Sequence, residues 1–321
     1  FLTYLTGYRY AIDLSKKVFS EMISEKDKTQ FQELGYFVTD VVIEPDQLQF
    51  MADEMDRLYR EGIEEAKATG DPKVVLAAEG RRSYGQIHNR SHIAAEFVKS
   101  QIYLEACHAF IGPNADLYWN QAATKPPKLG KTFSWHQDSG YMLAHCDPHL
   151  IVTCWIPLVN ATINNGCMYV LPRKFEDGII THHYGRDDRY IWIDENNLPP
   201  GDPIPIEIEV GDVLLLHNMT PHASFDNNSG VTRWSMDLRY GSPTMPNNVN
   251  EDPESYTTER PSESMACAPT EADFVVSDSK NPQREIRDGK LFADLRFRYA
   301  KQHVHPGRGW TRREPESRPT T

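Results

Sequence analysis

The chain has 321 residues, 39% of them hydrophobic and 25% charged, enough apolar material for a real core and too much for a disordered polypeptide. Its formal net charge of −12 repels nucleic acid and anionic membrane surfaces, so a small-molecule partner is favoured, with no nucleic acid and no membrane. No stretch approaches the roughly 18 consecutive apolar residues of a membrane-spanning helix.

The first part of the chain reads as helical. A helix over Glu25 to Leu34 leads into a short strand, Tyr36 to Ile43. A longer helix follows over Pro45 to Ala68, where Leu48, Met51, Met55, Leu58 and Ile63 recur at helical spacing. Further helices are expected at Ser91 to Val98 and Gln101 to Ile111. From about Ala115 the pattern changes to short β segments: Asp116 to Thr124, Leu150 to Leu158, Cys167 to Leu171, Ile204 to Glu209, Val213 to Leu216 and Val231 to Tyr240. Asn165-Gly166 suits a tight turn needing positive φ and Gly211-Asp212 separates two strands, which supports antiparallel neighbours. Helices first and many short strands afterwards imply a mainly β fold, a sandwich or barrel buttressed by flanking helices.

Beyond Tyr240 a polar segment dense in Pro, Ser, Glu and Asp runs to Asn281, followed by a basic stretch. Neither has the periodic apolar residues to enclose its own core. The division is therefore a single domain over residues 1–240 with a C-terminal extension, 241–321, packed on it. Residues 281–321 carry ten Lys and Arg against five acids, a balance of +5 that leaves −17 on the rest of the chain. The five cysteines are odd in number and lack CxxC spacing, as in a reducing compartment, and a cytoplasmic location is expected. The chain begins at Phe1 rather than Met, so a removed targeting segment stays open.

The chemistry concentrates around His136-Gln137-Asp138. Alternation along an extended segment puts the side chains of His136 and Asp138 on one side, where they can chelate one ion, and turns Gln137 away. The tripeptide alone is weak, because 12 histidines supply about one His-x-Asp by chance, and His145-Cys146-Asp147 is a second. Asp147 precedes Pro148, which biases it to a turn. Two histidines and one carboxylate on one face leave positions open on an Fe(II) ion for a cosubstrate and O2.

The surroundings of the first pair carry a resemblance. Lys125-Pro126-Pro127, Trp135-His136-Gln137-Asp138, Asn165-Gly166-Cys167, Leu171-Pro172, Gly211-Asp212, His222 and Arg233 occur in that order, and together they resemble the phytanoyl-CoA dioxygenase family over about Phe31 to Tyr240. The chain departs from the family pattern at Arg173 and in its long extension, which bears on the substrate. The resemblance implies a double-stranded β-helix core, jelly-roll and cupin-like. It also implies a non-haem Fe(II) dioxygenase that takes 2-oxoglutarate as cosubstrate and O2, with ascorbate as assay reductant. His136 and Asp138 would be the proximal ligands and His222 the distal one, so that these three are both the metal and the catalytic set. His217, at the end of an apolar strand, reads as a packed or hydrogen-bonded histidine instead.

Along Thr232 to Tyr240, Trp234, Met236, Leu238 and Tyr240 alternate with Arg233, Ser235, Asp237 and Arg239. Pattern alone would leave the polar face solvated; the resemblance turns it into the barrel, where Arg233 would grip the distal carboxylate of 2-oxoglutarate in a two-pronged hydrogen bond. Ser224 resembles the family's hydroxyl partner for that carboxylate. Trp155 and Thr153 would line the cosubstrate pocket, with core packing as the competing reading, and Gln121 and Lys125 are further pocket candidates. Tyr141, Gln86 and His88, with Asn89, are candidate substrate contacts.

The reaction implied is oxidation of an unactivated C–H bond of a small metabolite, by hydroxylation or by desaturation or oxidative cyclisation. Halogenation is disfavoured, because family relatives that halogenate carry a small residue where Asp138 stands. An acyl-CoA 2-hydroxylase of the phytanoyl-CoA type and a zinc hydrolase on a cupin-like barrel are the alternatives, the latter having no use for a dicarboxylate clamp at Arg233.

Overall fold

The computed structural model of the chain describes residues 23–39, 45–80, 83–85, 87, 91, 94, 97, 107–112, 115–128, 130–141, 147–184, 191–241, 275–277 and 282–284. Helix α1 (Glu25–Leu34) starts on a reciprocal cap in which the Ser24 hydroxyl and the Asp27 carboxylate each accept from the other's backbone N–H. It stops at Gly35, whose φ of 80° is left-handed. Strand β1 (Tyr36–Val38) follows, then α2 (Pro45–Ala68). The sequence pattern did not reveal α3 (Pro72–Glu79), for which Asp71 is the capping residue and Pro72 opens the first turn. Ala94, Phe97 and residues 107–111 are helical, in keeping with the expected helices there.

The strands are β2 (Ser83–Gly85), β3 (Ala115–Lys125), β4 (Phe133–His136), β5 (Ile151–Pro157), β6 (Met168–Val170), β7 (His182–Tyr184), β8 (Ile191–Ile193), β9 (Ile204–Ile206), β10 (Leu214–His217), β11 (His222–Ser224), β12 (Arg233–Gly241) and β13 (Val275–Ser277). They form a large sheet in the order β1-β10-β5-β12-β3-β13, with β2 also on β3, a smaller sheet β4-β11-β6-β9, and a β7-β8 hairpin. Every pairing between the described strands is antiparallel. Strand β13 belongs to the C-terminal extension and adds to the edge of β3, with Val275 opposite Asp116. This is the expected jelly-roll core. No described helix is long and apolar enough to cross a membrane.

Strand β12 explains the position of the site. Trp234, Met236, Leu238 and Tyr240 pack on the outer side of the large sheet with Leu48, Met51 and Met55 of α2 and Phe31 of α1. Each such side chain contributes about 1.5–3 kcal/mol by leaving water. The Trp234 indole N–H donates to Asp56 of α2 at 2.6 Å and fixes the helix against the strand. The alternate residues Arg233, Ser235, Asp237 and Arg239 are also buried, so the polar face is turned inward and not solvated. Inside, Trp155, Leu214 and Leu216 of the large sheet meet Met168, Val170 and Ile206 of the small one.

Candidate metal and cosubstrate site

His136 ends β4, and in the antiparallel register of β4 and β11 it stands directly opposite His222. Asp138 is no longer in the strand. It opens a 3-10 turn, Asp138–Tyr141, so the turn and not strand alternation brings its carboxylate to the two histidines. The donor atoms of His136, Asp138 and His222 lie within 4.8 Å of one another and could hold a metal ion. The imidazoles are oriented alike: His136 Nδ1 bonds the Ser134 carbonyl at 2.8 Å and His222 Nδ1 that of Thr220 at 2.9 Å, which leaves each Nε2 to face an ion. Burial, and then the neighbouring His222, pushes the His136 imidazole down to about 3, so it is neutral and ready to ligate.

Gln137 does face away, and it does more than that. Its amide donates to the carbonyls of Met219 at 2.6 Å and Gly178 at 3.0 Å, while its oxygen accepts from Ile180 N–H at 2.7 Å. Its backbone N–H donates to Nε2 of His182 on β7. The residue between the two donors thus ties segment 178–180, β7 and the Met219 loop to the Asp138–Tyr141 turn.

Asp138 is buried and held on several sides. Arg239 brackets it, Nε to Oδ2 at 2.8 Å and Nη2 to Oδ1 at 2.7 Å, and the Thr153 hydroxyl donates to Oδ2 at 2.7 Å. Burial alone would raise the carboxyl, but Arg239 and then His222 outweigh it and hold Asp138 below the usual carboxylate range. Arg239 went unnoticed in the sequence beyond its place on the polar face of β12; that alternation was the signal that could have found it.

Arg233 is 1% exposed, and its guanidinium lies 5.3 Å from the Trp155 ring. Its Nη1 donates to the Ser235 hydroxyl at 3.2 Å, whereas its Nε is buried with no partner. Burial lowers it to about 10, still a cation at neutral pH. A buried cation with an unanswered donor is costly by itself and fits an anionic ligand. Ser224 is buried on β11, two residues after His222.

The remaining pocket candidates are placed differently. Thr153 spends its hydroxyl hydrogen on Asp138, not on open space. Gln121 donates to Asp237, whose carboxyl burial raises against the pull of Arg239. The Lys125 ammonium donates to the carbonyls of Lys131 at 2.7 Å, Ser224 at 3.0 Å and Phe225, bracing the Lys125-Pro126-Pro127 turn against the end of β11. Tyr141 sits at the end of the metal turn, with its ring edge-on to His136 and centroids 5.8 Å apart. Gln86, His88, Asn89 and His145 lie outside the described residues.

His217 is not among the clustered donors. Its Nδ1 accepts from Met219 N–H and lies 3.0 Å from Thr220 Oγ1, whose hydroxyl donates to the Gly35 carbonyl; its Nε2 bonds the Arg173 carbonyl at 3.0 Å, and burial lowers it to about 4. Both nitrogens are committed to tying β10 to neighbouring loops.

The family model for phytanoyl-CoA dioxygenase matches residues 31–235. The peroxisomal phytanoyl-CoA dioxygenase of Rattus norvegicus is 23% identical over 252 residues, which cover 73% of this chain and 71% of the relative. EvdO2 from Micromonospora carbonacea var. aurantiaca, solved as a complex with 2-oxoglutarate, superposes with a TM-score of 0.53 at 19% identity, covering 68% of this chain and 91% of that one. The epimerase SnoN, solved with Fe3+, alpha ketoglutarate and nogalamycin RO, gives a TM-score of 0.52 at 16% identity, over 68% and 84%. The two structures establish the likeness of fold, and the family model, spanning most of the chain, establishes kinship. The chain belongs to the phytanoyl-CoA dioxygenase family of non-haem Fe(II)- and 2-oxoglutarate-dependent oxygenases.

Proposed function

We propose that the protein hydroxylates an unactivated C–H bond of a small metabolite without a CoA group, with iron on His136, Asp138 and His222 and the distal carboxylate of 2-oxoglutarate on Arg233. The observation that carries the site reading is the pairing of a preformed three-donor cluster with a buried guanidinium whose Nε has no partner. A zinc hydrolase would have no use for that cation, and the family kinship removes that alternative. When bound, iron and 2-oxoglutarate supply the oxidising chemistry: O2 is consumed, 2-oxoglutarate becomes succinate and CO2, and a C–H bond gains an oxygen atom. The chain's own part is geometric. Thr220 and Ser134 carbonyls aim the imidazoles, Arg239 and Thr153 hold the carboxylate, Trp155 supports the Arg233 guanidinium, and burial keeps water away.

The preference for a small metabolite rests on charge. A CoA thioester brings several phosphate charges, which residues 1–280, at −17, would repel. SnoN, with its bound nogalamycin RO, is a precedent for such a substrate on this fold. The kinship to phytanoyl-CoA dioxygenase favours a second reading, an acyl-CoA 2-hydroxylase whose phosphates meet the basic residues of 281–321. We assign residues 241–321 to the same domain, supported by the pairing of β13 with β3; the basic stretch lies outside the described residues apart from 282–284. The test is succinate formation from 2-oxoglutarate with Fe(II) and ascorbate, against a panel of free metabolites and CoA thioesters. Coupled turnover of a free metabolite supports the proposal. Efficient turnover of a thioester but not of its free acid, weakening steeply with salt, would replace it with the CoA reading.

A further inference from the structure

We propose that Arg239, with Thr153, is a positioning residue that restricts Asp138 to one metal-binding oxygen and thereby keeps a coordination position open. The inference rests on the assignment of Asp138 as a ligand. It follows from counting hydrogen bonds at each carboxylate oxygen. An ionised carboxylate oxygen offers about two lone-pair sites. Oδ2 accepts from Arg239 Nε at 2.8 Å and from the Thr153 hydroxyl at 2.7 Å, so both of its sites are filled. Oδ1 accepts only from Arg239 Nη2, at 2.7 Å, and faces His222 Nε2 at 3.9 Å, leaving one site directed toward the histidines.

The grip is rigid. Arg239 and Thr153 face each other across β12 and β5 in register, and Arg239 and Asp138 are both nearly inaccessible to solvent. A planar guanidinium bracketing both oxygens resists rotation of the carboxylate, which a point charge could not do. The consequence is coordinative. Two histidines and a one-oxygen carboxylate leave about three of six positions free, two for a chelating 2-oxo acid and one for O2. A carboxylate binding through both oxygens would take the position that O2 needs.

Mn(II) is a suitable probe, because water-proton relaxation reports the number of exchangeable waters on the bound ion without any turnover. The holoprotein should hold about three such waters. Arg239→Met frees one site on Oδ2 and releases the carboxylate to rotate, and should reduce the number by about one at saturating Mn(II). Thr153→Val, close in shape, removes a single donor from Oδ2 and should lower the relaxation enhancement in the same direction by less. A folded Arg239→Met protein with the wild-type enhancement overturns the proposal; if that variant does not fold, an unchanged Thr153→Val protein overturns it. Asp138→Ala separates the two levels of the argument: if it binds Mn(II) as tightly as wild type, the ligand assignment itself is wrong, whereas loss of Mn(II) there with unchanged enhancement in the Arg239 variant refutes only the role of Arg239.

Discussion

Arg233 makes an unusual prediction, because one substitution should improve the apo fold and destroy cosubstrate binding. Arg233 is 1% exposed and, among the described residues, its guanidinium makes one hydrogen bond, at 3.2 Å to Ser235, while Nε has no partner. An unanswered buried donor costs about 1–3 kcal/mol, and the stacking on Trp155 at 5.3 Å returns about 1–2 kcal/mol. Arg233→Met, which fills similar volume without the charge, should therefore stabilise the apo protein by about 1 kcal/mol, or raise Tm by about 2–4 °C. The same variant should lose 2-oxoglutarate. Arg233→Lys keeps a charge but only one prong, and losing one charge-assisted bond of about 1.5–3 kcal/mol raises Kd about 10- to 150-fold. Urea unfolding of the apo proteins gives the first quantity, and calorimetric titration of Ni(II)-loaded protein with 2-oxoglutarate gives the second. An apo Arg233→Met protein more than about 1 kcal/mol less stable than wild type, or an Arg233→Lys Kd within about threefold of wild type, would refute the reasoning.

Alanine at His136, Asp138 or His222 should abolish turnover and weaken Fe(II) binding by at least about tenfold, whereas His217→Gln should bind iron normally; equilibrium dialysis decides. His217 is lowered by burial to about 4 in the folded state against about 6.5 unfolded, so its contribution to stability is full above pH 6.5 and is lost as pH falls toward 4. The pH dependence of urea unfolding over that window should be shallower in His217→Gln by about 1.4 kcal/mol per pH unit, and an unchanged slope counts against it. Gly140→Ala should disrupt the metal turn, because a Cβ there would overlap Ile191 and come within 2.8 Å of the His182 ring; wild-type iron affinity and Tm would contradict this. Gly35→Ala should cost several kcal/mol, since φ of 80° is strained for alanine and its Cβ would stand 2.6 Å from the Arg173 carbonyl oxygen, a loss that calorimetric melting would show.

The elements that were legible in the sequence are those with local punctuation. The bounds of Glu25–Leu34 and Pro45–Ala68 coincide with expectation, one set by a Ser24 cap and Gly35, the other by an opening proline and a long apolar stripe. The helix Pro72–Glu79 escaped notice because it is short and carries Val74 and Val75, which read as β formers. The β7-β8 hairpin, three residues a strand, is too short for alternation to register. In the site, spacing alone offered two His-x-Asp pairs and a polar strand face that could as well be solvated; the ordered motifs resembling the family singled out His136, Asp138, His222 and Arg233. Which partner each polar side chain takes was not legible. Thr153 turning to Asp138, Lys125 to three carbonyls and Arg239 to Asp138 all depend on strand register, which long-range pairing sets.

The central claim is most directly tested by a crystal structure of the anaerobic complex with Mn(II) and 2-oxoglutarate. It should place the ion on Nε2 of His136, Oδ1 of Asp138 and Nε2 of His222, with the distal carboxylate of 2-oxoglutarate in a two-pronged hydrogen bond to Arg233. An ion held by other residues, or a cosubstrate carboxylate that leaves Arg233 unpaired, would contradict the account.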